Sequence, residues 1–285
     1  MSTFRQVLKQ AQKELVKANG SEQSALLLML ELSNGEAHDL YSHYEDEMPI
    51  ELETAYNTAF ERLLKGEPLR HILGYQWFYG HRIKVNEHVL IPREETEELV
   101  ANILIGYDQY FSMNENVTLC DIGTGSGAIA IALKKEEPGL NIIATDISID
   151  AVSVAKSNAI DNKAEVCFCV GDMLEPLIER QLKVDILVSN PPYIPQEENI
   201  DDSVKDYEPH VALFGGEDGL KFYKIIFERS KEILNERCML AFEIGYDQKE
   251  ALCKEASLHF PHAKIEVLKD MNGKDRMLFI YCIGE

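Results

Sequence analysis

Basic residues are scarce. Lysine and arginine together number 28 against 49 acidic residues, which gives a formal net charge of −21 over 285 residues. A chain so short of cations weighs against a substrate gripped through phosphates, because nucleic-acid binding relies on a basic patch or stripe. Long apolar runs are missing too. None reaches the roughly 18 residues that span a bilayer, and the stretch from Ala25 to Leu32 is interrupted by Glu31. Arg5, Lys9, Lys13, Glu14 and Lys17 crowd the start without the apolar segment of a secretory signal. The expected location is the cytoplasm, with no membrane partner. Cys120, Cys167, Cys169, Cys238, Cys253 and Cys282 form no C-x-x-C pair. Cys167-Phe168-Cys169 turns two thiols to one face of a predicted strand but brings no further ligands. Reduced, buried thiols are expected, and no metal site. The histidines show no metal-ligand spacing either.

Apolar residues supply 45% and charged residues 27% of the chain, the balance of a packed protein rather than a disordered one. The length suits one large domain or two of ordinary size. Residues 2–73 read as helical. Leu26, Leu27, Leu30 and Leu40 supply apolar positions, and Leu52, Ala55, Tyr56, Ala59, Phe60, Leu63 and Leu64 follow the amphipathic-helix spacing. Ser21 is placed to cap a helix and Asn34-Gly35 to end one. Residues 75–85 are aromatic and β-branched around Gly80-His81, which predicts a β-hairpin. Strands and helices then alternate. Strands are predicted over 117–120, 141–145, 165–170, 184–188, 238–244, 265–268 and 277–282, and helices over 128–135, 150–159 and 219–234, with another ending near 256. The expected fold is α/β: a mostly parallel sheet with helices on both faces, closed by an antiparallel hairpin at Asn272-Gly273. The expected division is a helical domain over 1–74, a hairpin linker over 75–90 and a sheet domain over 91–285.

Asp121-Ile122-Gly123-Thr124-Gly125-Ser126-Gly127 follows the first strand of the sheet domain and opens a helix. Glycines let the backbone turn sharply and let a ligand approach the main chain. The helix start offers free N–H groups. Dinucleotide enzymes use such a turn with the spacing G-x-G-x-x-G, whereas the glycines here read G-x-G-x-G. Asp121 precedes the loop, Asp146 ends the second strand and Asp172 follows the third. This layout suits an adenosyl ligand with an amino-acid tail in place of a pyrophosphate. Asp121 would lie near its cationic methionine portion, and Asp146 would accept from both ribose hydroxyls. Asp172 would accept from the adenine amine, with Met173 beside the ring. Any one of these acids alone reads equally as a helix cap or strand end; three in register after successive strands do not.

Val184-Asp185-Ile186-Leu187-Val188-Ser189 runs directly into Asn190-Pro191-Pro192-Tyr193, and ligands bind at the carboxyl ends of strands in such sheets. Two prolines stiffen the backbone and remove two N–H donors. The side-chain carbonyl of Asn190 and the main-chain carbonyl of Pro191 remain as acceptors, and Tyr193 offers a flat face for stacking. An NH2 group on a planar substrate can donate both hydrogens to such acceptors. A neutral amide nitrogen is a poor nucleophile, so alignment and polarisation carry most of its activation.

These residues resemble a known group. Asp121 to Gly127, Asp146 and Ser189-Asn190-Pro191-Pro192-Tyr193-Ile194 look like the N-methylating class I methyltransferases. Gly66-Glu67-Pro68-Leu69 with Ile72-Leu73-Gly74, and Val89-Leu90-Ile91-Pro92-Arg93 with Glu95-Thr96-Glu97, narrow the resemblance. So do Tyr207-Glu208-Pro209 with Ala212-Leu213, Gly215 to Leu220, and Asp275-Arg276. Together they resemble the release-factor glutamine methyltransferases, the PrmC or HemK family, over nearly the whole chain.

The resemblance implies a Rossmann-like class I methyltransferase sheet and S-adenosylmethionine as cofactor. It implies methylation of the side-chain amide of the glutamine in the Gly-Gly-Gln motif of class 1 peptide-chain release factors. By carry-over, Gly123, Thr124, Gly125, Ser126, Gly127 and Asp146 hold the cofactor, joined by Asp121, Asp172, Met173 and Asn190. Asn190, Pro191, Pro192 and Tyr193 hold the glutamine, with Asn190, Pro191 and Tyr193 the catalytic set. The helical domain engages the release factor, and a monomer is expected. Two positions depart from the family's habit: Glu94 stands where proline is common, and Met173 where an aromatic is common.

Other residues have open roles. Glu243, at the end of a predicted strand, orients substrate, takes a late proton or caps the next helix. Arg93 and Glu97 bind substrate or pair with each other. Trp77 is expected to pack in the hairpin. Glu94, Glu95, Glu97 and Glu98 are expected to form a solvated helical face. Two rival functions remain: methylation of a base amine in a nucleic acid, which Asn-Pro-Pro-Tyr permits and the charge opposes, and a non-catalytic binding protein, which the intact motifs oppose.

Overall fold

The structure is a computed structural model that describes residues 2–113 and 116–284. The chain forms two compact units. The first holds residues up to Tyr75 together with Ile200–Tyr207; the second holds Gln76–Asn199 and the residues from Glu208 onward.

The N-terminal part of the first unit is helical: α1 (Phe4–Lys17), α2 (Glu22–Ser33), α3 (Ala37–Ser42), α4 (Ile50–Leu64) and α5 (Leu69–Leu73). Thr3 and Gln6 close a reciprocal cap at the start of α1, with the Gln6 N–H donating to Thr3 at 3.3 Å and the Thr3 N–H to Gln6 at 3.0 Å. Ser21 caps α2, and Asn34 ends it in the left-handed conformation at φ 49°. Within α2 the inward face is Ala25, Leu28 and Met29, while Leu27 turns outward at 41% exposure. A run of apolar residues conceals which of them lie three and four apart on one face. Tyr56 of α4 is buried and donates its hydroxyl to the Ala25 carbonyl at 3.0 Å; Ala55 beside it is exposed.

The hairpin of β1 (Tyr75–Phe78) and β2 (His81–Lys84) comes next, and all of it but Tyr75 belongs to the second unit. Its turn is Tyr79-Gly80, both at positive φ, one residue before the Gly80-His81 expected. Trp77 on this hairpin is 53% exposed, and its neighbour Phe78 takes the inward face. The chain continues through α6 (Glu94–Tyr110), β3 (Thr118–Ile122), α7 (Ala128–Glu136), β4 (Asn141–Asp146), α8 (Ile149–Asn162), β5 (Val166–Val170), α9 (Glu175–Glu179) and β6 (Val184–Ser189). The short α10 (Asp202–Tyr207) belongs to the first unit. Then come α11 (Lys221–Arg229), β7 (Leu234–Glu243), α12 (Lys249–His259), β8 (Lys264–Lys269) and β9 (Asp275–Cys282).

The sheet order is β5-β4-β3-β6-β7-β9-β8. All pairs are parallel except those of β9, which runs antiparallel to both neighbours. Both sheet faces are covered, so β7 alternates its side chains between two cores. Met239 and Ala241 join the core that includes Leu99, Ile103 and Ile131, while Leu240 and Phe242 join Tyr223, Phe227 and Leu252. The helix expected over 219–234 is shorter: α11 stops at Arg229, a 3-10 turn follows at Ser230–Glu232, and β7 begins at Leu234. The chain order reverses beside β3, which pairs with β4 on one side and β6 on the other. That switch point brings the carboxyl ends of β3, β4 and β6 to one edge. Among the described residues no helix is long and apolar enough to cross a membrane.

Candidate active site

The loop after β3 turns three times through positive φ, at Gly123 (71°), Gly125 (54°) and Gly127 (81°). The glycines serve two purposes. A Cβ at Gly123 or Gly125 would meet nothing within 4 Å, so both leave open space; at Gly127 it would lie 3.1 Å from the Ala155 Cβ, so that glycine admits α8. The N–H groups of Gly123 and Thr124 both donate to the Thr145 carbonyl at 2.9 Å, which clips the loop to β4.

Asp146 accepts from Gly125 N–H at 2.8 Å and from Ser148 N–H at 2.9 Å. Burial raises its pKa, against the pull of those two N–H groups. Asp121 is fully buried. Its Oδ2 accepts from the Thr124 hydroxyl at 2.6 Å, whereas its Oδ1 is buried with no hydrogen-bond partner among the described residues. Burial pushes the Asp121 carboxyl up to about 7. Thr145 donates to the Met173 carbonyl at 3.0 Å, and Met173 sits at φ 47°, so the turn after β5 is tied to the end of β4.

The motif after β6 is braced from several sides. The Ser189 hydroxyl donates to the Ile122 carbonyl at 2.7 Å, joining the glycine strand to the motif strand. Gln248 donates to the Tyr193 carbonyl at 2.9 Å. Gly215 and Gly219 pass so close that a Cβ would stand 2.5 Å from the Pro192 carbonyl oxygen and 2.2 Å from that of Tyr193. The Asn190 amide donates to the Thr96 hydroxyl oxygen at 3.3 Å, and that hydroxyl donates to Glu243 at 2.6 Å. Tyr193 also donates to Glu243, at 3.3 Å, and burial holds the Tyr193 phenol well above its usual pKa. Glu243 does not cap the next helix: α12 begins at Lys249 after Gln248.

One cleft of about 320 Å³ joins these parts, large enough for a small ligand. It brings together Gly123, Gly125, Asp146, Asp172, Met173, Asn190, Pro191 and Pro192. Asp121, Thr124, Ser126, Gly127 and Tyr193 are not part of its lining; Thr124 bonds to Asp121 and Tyr193 to Glu243 instead.

The lining also includes residues given no role on sequence. Val89 and Leu90 come from the segment before α6, Pro209, Val211 and Ala212 from the segment before α11, and Phe222 and Ile225 from α11. On α11 the deep face is Tyr223, Ile226 and Phe227, so Phe222 and Ile225 are spared for the cleft. Glu208, buried, ties the two segments together. It accepts from the Ile91 N–H at 3.0 Å and from Arg93 at 2.6 Å. Arg93 therefore pairs with Glu208 and not with Glu97, which accepts from the Tyr79 N–H at 2.8 Å. Glu98 accepts from the Met271 N–H, so the acidic run on α6 is only in part a solvated face. The six cysteines are free; Cys120, Cys169 and Cys238 are buried, whereas Cys167 is exposed.

Residues 6–74 match the family model of the PrmC N-terminal domain, and residues 107–206 match that of the methyltransferase small domain. The release factor glutamine methyltransferase of Bacillus anthracis is 40% identical over 276 residues, covering 96% of this chain and 97% of the relative. That of Staphylococcus aureus is 40% identical over 267 residues, covering 93% and 94%. Among solved structures, the methyltransferase from Pyrococcus furiosus superposes with a TM-score of 0.52 at 16% identity, covering 71% of this chain and 89% of that one. The human Mettl16 catalytic domain reaches 0.55 at 16% identity, covering 88% and 94%. At those identities the structures speak for the fold alone. The identity to the two relatives over almost their full length carries further: the chain belongs to the release factor glutamine methyltransferase family.

Proposed function

We propose that this chain transfers a methyl group from S-adenosylmethionine to the side-chain amide nitrogen of a glutamine, the one in the Gly-Gly-Gln motif of class 1 peptide-chain release factors. The observation that carries this reading is the shared cleft, in which Gly123, Gly125 and Asp146 stand with Asn190, Pro191 and Pro192. The relatives' names support a release-factor glutamine as the substrate, and the sequence resemblance adds the Gly-Gly-Gln motif and the class of factor.

The residues fit the cofactor. Gly123 and Gly125 leave room where a side chain would intrude. Each oxygen of Asp146 accepts from a backbone N–H, and an ionised carboxylate has about four lone pairs, so acceptor capacity remains for ribose hydroxyls. Asp172 and Met173 line the same cleft, with Phe222 and Ile225 supplying apolar surface for a purine. The bound cofactor supplies an electrophilic methyl group.

The chain's own residues do the rest. Asn190 and Pro191 offer carbonyl oxygens to the two amide hydrogens of the glutamine, which draws the nitrogen lone pair out of conjugation and aims it. Pro191 and Pro192 carry no N–H, so no donor competes for that amide. Held this way, the weak nucleophile needs no strong base before attack, and the amide gives up one of its two protons after the methyl group has been accepted. The helical unit, over 1–74 with the later α10, is the proposed docking element for the release factor.

Incubation with labelled S-adenosylmethionine and a class 1 release factor tests the reading. Label is expected on the release factor and absent when the Gly-Gly-Gln glutamine is replaced. Equal labelling of both would overturn the target.

A further inference from the structure

The amide of Asn190 has two ends of nearly equal shape, and only one of them, the oxygen, can receive a substrate N–H. Something must decide which end faces the cleft. The structure holds a chain of hydrogen bonds with a built-in direction. Glu243, at the end of β7, is 2% exposed, and its Oε2 accepts from the Thr96 hydroxyl at 2.6 Å. Ionised, the state that Thr96, Arg276 and Tyr193 favour against burial, Glu243 has no proton to donate. The single proton of Thr96 is therefore committed to Glu243, and the Thr96 oxygen is left only able to accept. It accepts the Asn190 Nδ2–H at 3.3 Å, which leaves the Asn190 Oδ1 for the cleft that this residue lines.

Three further observations support the arrangement. Thr96 is 4% exposed and so is shielded from bulk solvent. The other oxygen of Glu243 accepts from Tyr193, so one carboxylate orients both polar side chains of the motif. Arg276, anchored by Asp270 and by the Ile244 carbonyl at 3.3 Å each, places a positive charge near the buried carboxylate. Burial raises the Glu243 pKa and Glu95 adds to the rise, while Thr96, Arg276 and Tyr193 act against it.

We propose that Glu243 and Thr96 are positioning residues for methyl transfer: Glu243 sets the direction of the hydrogen-bond chain, and Thr96 passes it to Asn190, fixing the amide oxygen toward the substrate. The proposal rests on the reading that Asn190 accepts from the substrate's NH2 group. Neither residue touches the reacting atoms.

The test compares variants that keep shape with variants that keep polarity, using labelled S-adenosylmethionine and a class 1 release factor. Thr96→Val preserves the shape and deletes the hydroxyl; Thr96→Ser preserves the hydroxyl. Glu243→Gln preserves the shape and supplies a donor, which frees the Thr96 proton to turn toward Asn190 and stabilise the flipped amide. Thr96→Val and Glu243→Gln are expected to lower kcat by roughly 10- to 100-fold, with the cofactor Kd from calorimetry within about threefold. Thr96→Ser is expected within about threefold of the parent kcat. The double variant Thr96→Val with Glu243→Gln should be no worse than the poorer single variant, because the two act in series.

Parent-like kcat in Thr96→Val would overturn the proposal. So would losses in Thr96→Val and Thr96→Ser that simply follow their melting temperatures, or losses that multiply in the double variant. Asn190→Ala runs alongside: if it stays active, the underlying reading of the site fails; if it is inactive while Thr96→Val is not, only the positioning role fails.

Discussion

The side-chain amide of Asn158 donates to the Ser126 carbonyl at 2.9 Å, so the glycine-rich loop is gripped from behind by a residue of α8. The same side chain brackets Lys84 of β2, donating to its carbonyl at 3.0 Å and accepting from its N–H at 2.8 Å. A single fully buried asparagine thus joins hairpin, helix and loop. Asn158→Ala would leave the Ser126 carbonyl and the Lys84 N–H without these partners. We expect it to lower stability by about 2–4 kcal/mol, read from denaturant midpoints. Asn158→Asp should be at least as damaging, since it sets a carboxylate against two carbonyl oxygens. A loss below about 0.5 kcal/mol in both would show that the bridge carries no weight.

Gly125 and Gly127 should fail in different ways. Both have positive φ, which alone costs an alanine about 1 kcal/mol. Gly125→Ala adds a methyl to open space on the cleft side, so the fold should survive while S-adenosylmethionine affinity falls roughly tenfold or more. Gly127→Ala drives its methyl against the Cβ and backbone Cα of Ala155, at 3.1 and 3.3 Å, and should lower the melting temperature more than Gly125→Ala does. Scanning calorimetry and titration calorimetry on both variants separate the two effects. Equal behaviour would mean that the loop has no ligand side.

What was legible in the sequence was whatever repeats or sits at a strand end. Asp146, Asp172 and Asn190 could be placed because strands of the sheet carry a period and their ends face one edge. Asn158, Glu208 and Thr96 carry no such signal. Their partners lie 74, 117 and 147 residues away along the chain, and a side-chain hydrogen bond leaves no trace in local composition. Thr96 was hidden further by the acidic run around it, which reads as a solvated face until Glu97 and Glu98 are seen accepting from main-chain N–H groups. Phe222 and Ile225 were legible as apolar but not as cleft residues, because periodicity separates apolar from polar faces and says nothing about which apolar face meets a cavity.

Glu208 and Arg93 yield a third prediction. Glu208→Ala strands both the Ile91 N–H and the Arg93 guanidinium, whereas Glu208→Gln retains an acceptor for one of them. Removing one partner of a buried pair costs roughly 3 kcal/mol, less here because Arg93 is a third exposed to water. We expect Glu208→Ala to lose about 2 kcal/mol and Glu208→Gln about half of that. Because the two segments it joins supply Val89, Leu90 and Pro209 to the cleft, cofactor affinity should fall in the same order. Reversal of that order in either measurement would separate the buried carboxylate from the integrity of the cleft.

Asp121 makes the stability of the ligand-free protein depend on pH in a defined direction. Its carboxyl is raised to about 7 in the folded chain, chiefly by burial, against about 3.9 when unfolded. Below pH ~4 both states hold the proton and the residue costs nothing. As the pH rises from about 4 to 7 the unfolded state gives up its proton first, so stability falls over that window and stays low above it. Asp121→Asn removes the titration and keeps an acceptor for the Thr124 hydroxyl. It also removes a like charge near Asp146, which works in the same direction. The ligand-free variant should therefore match the parent near pH 4 and exceed it at pH 8 by an amount on the order of a few kcal/mol. Chemical denaturation at the two pH values measures this directly. A difference of the same size at both would assign the effect to packing around the side chain rather than to its charge.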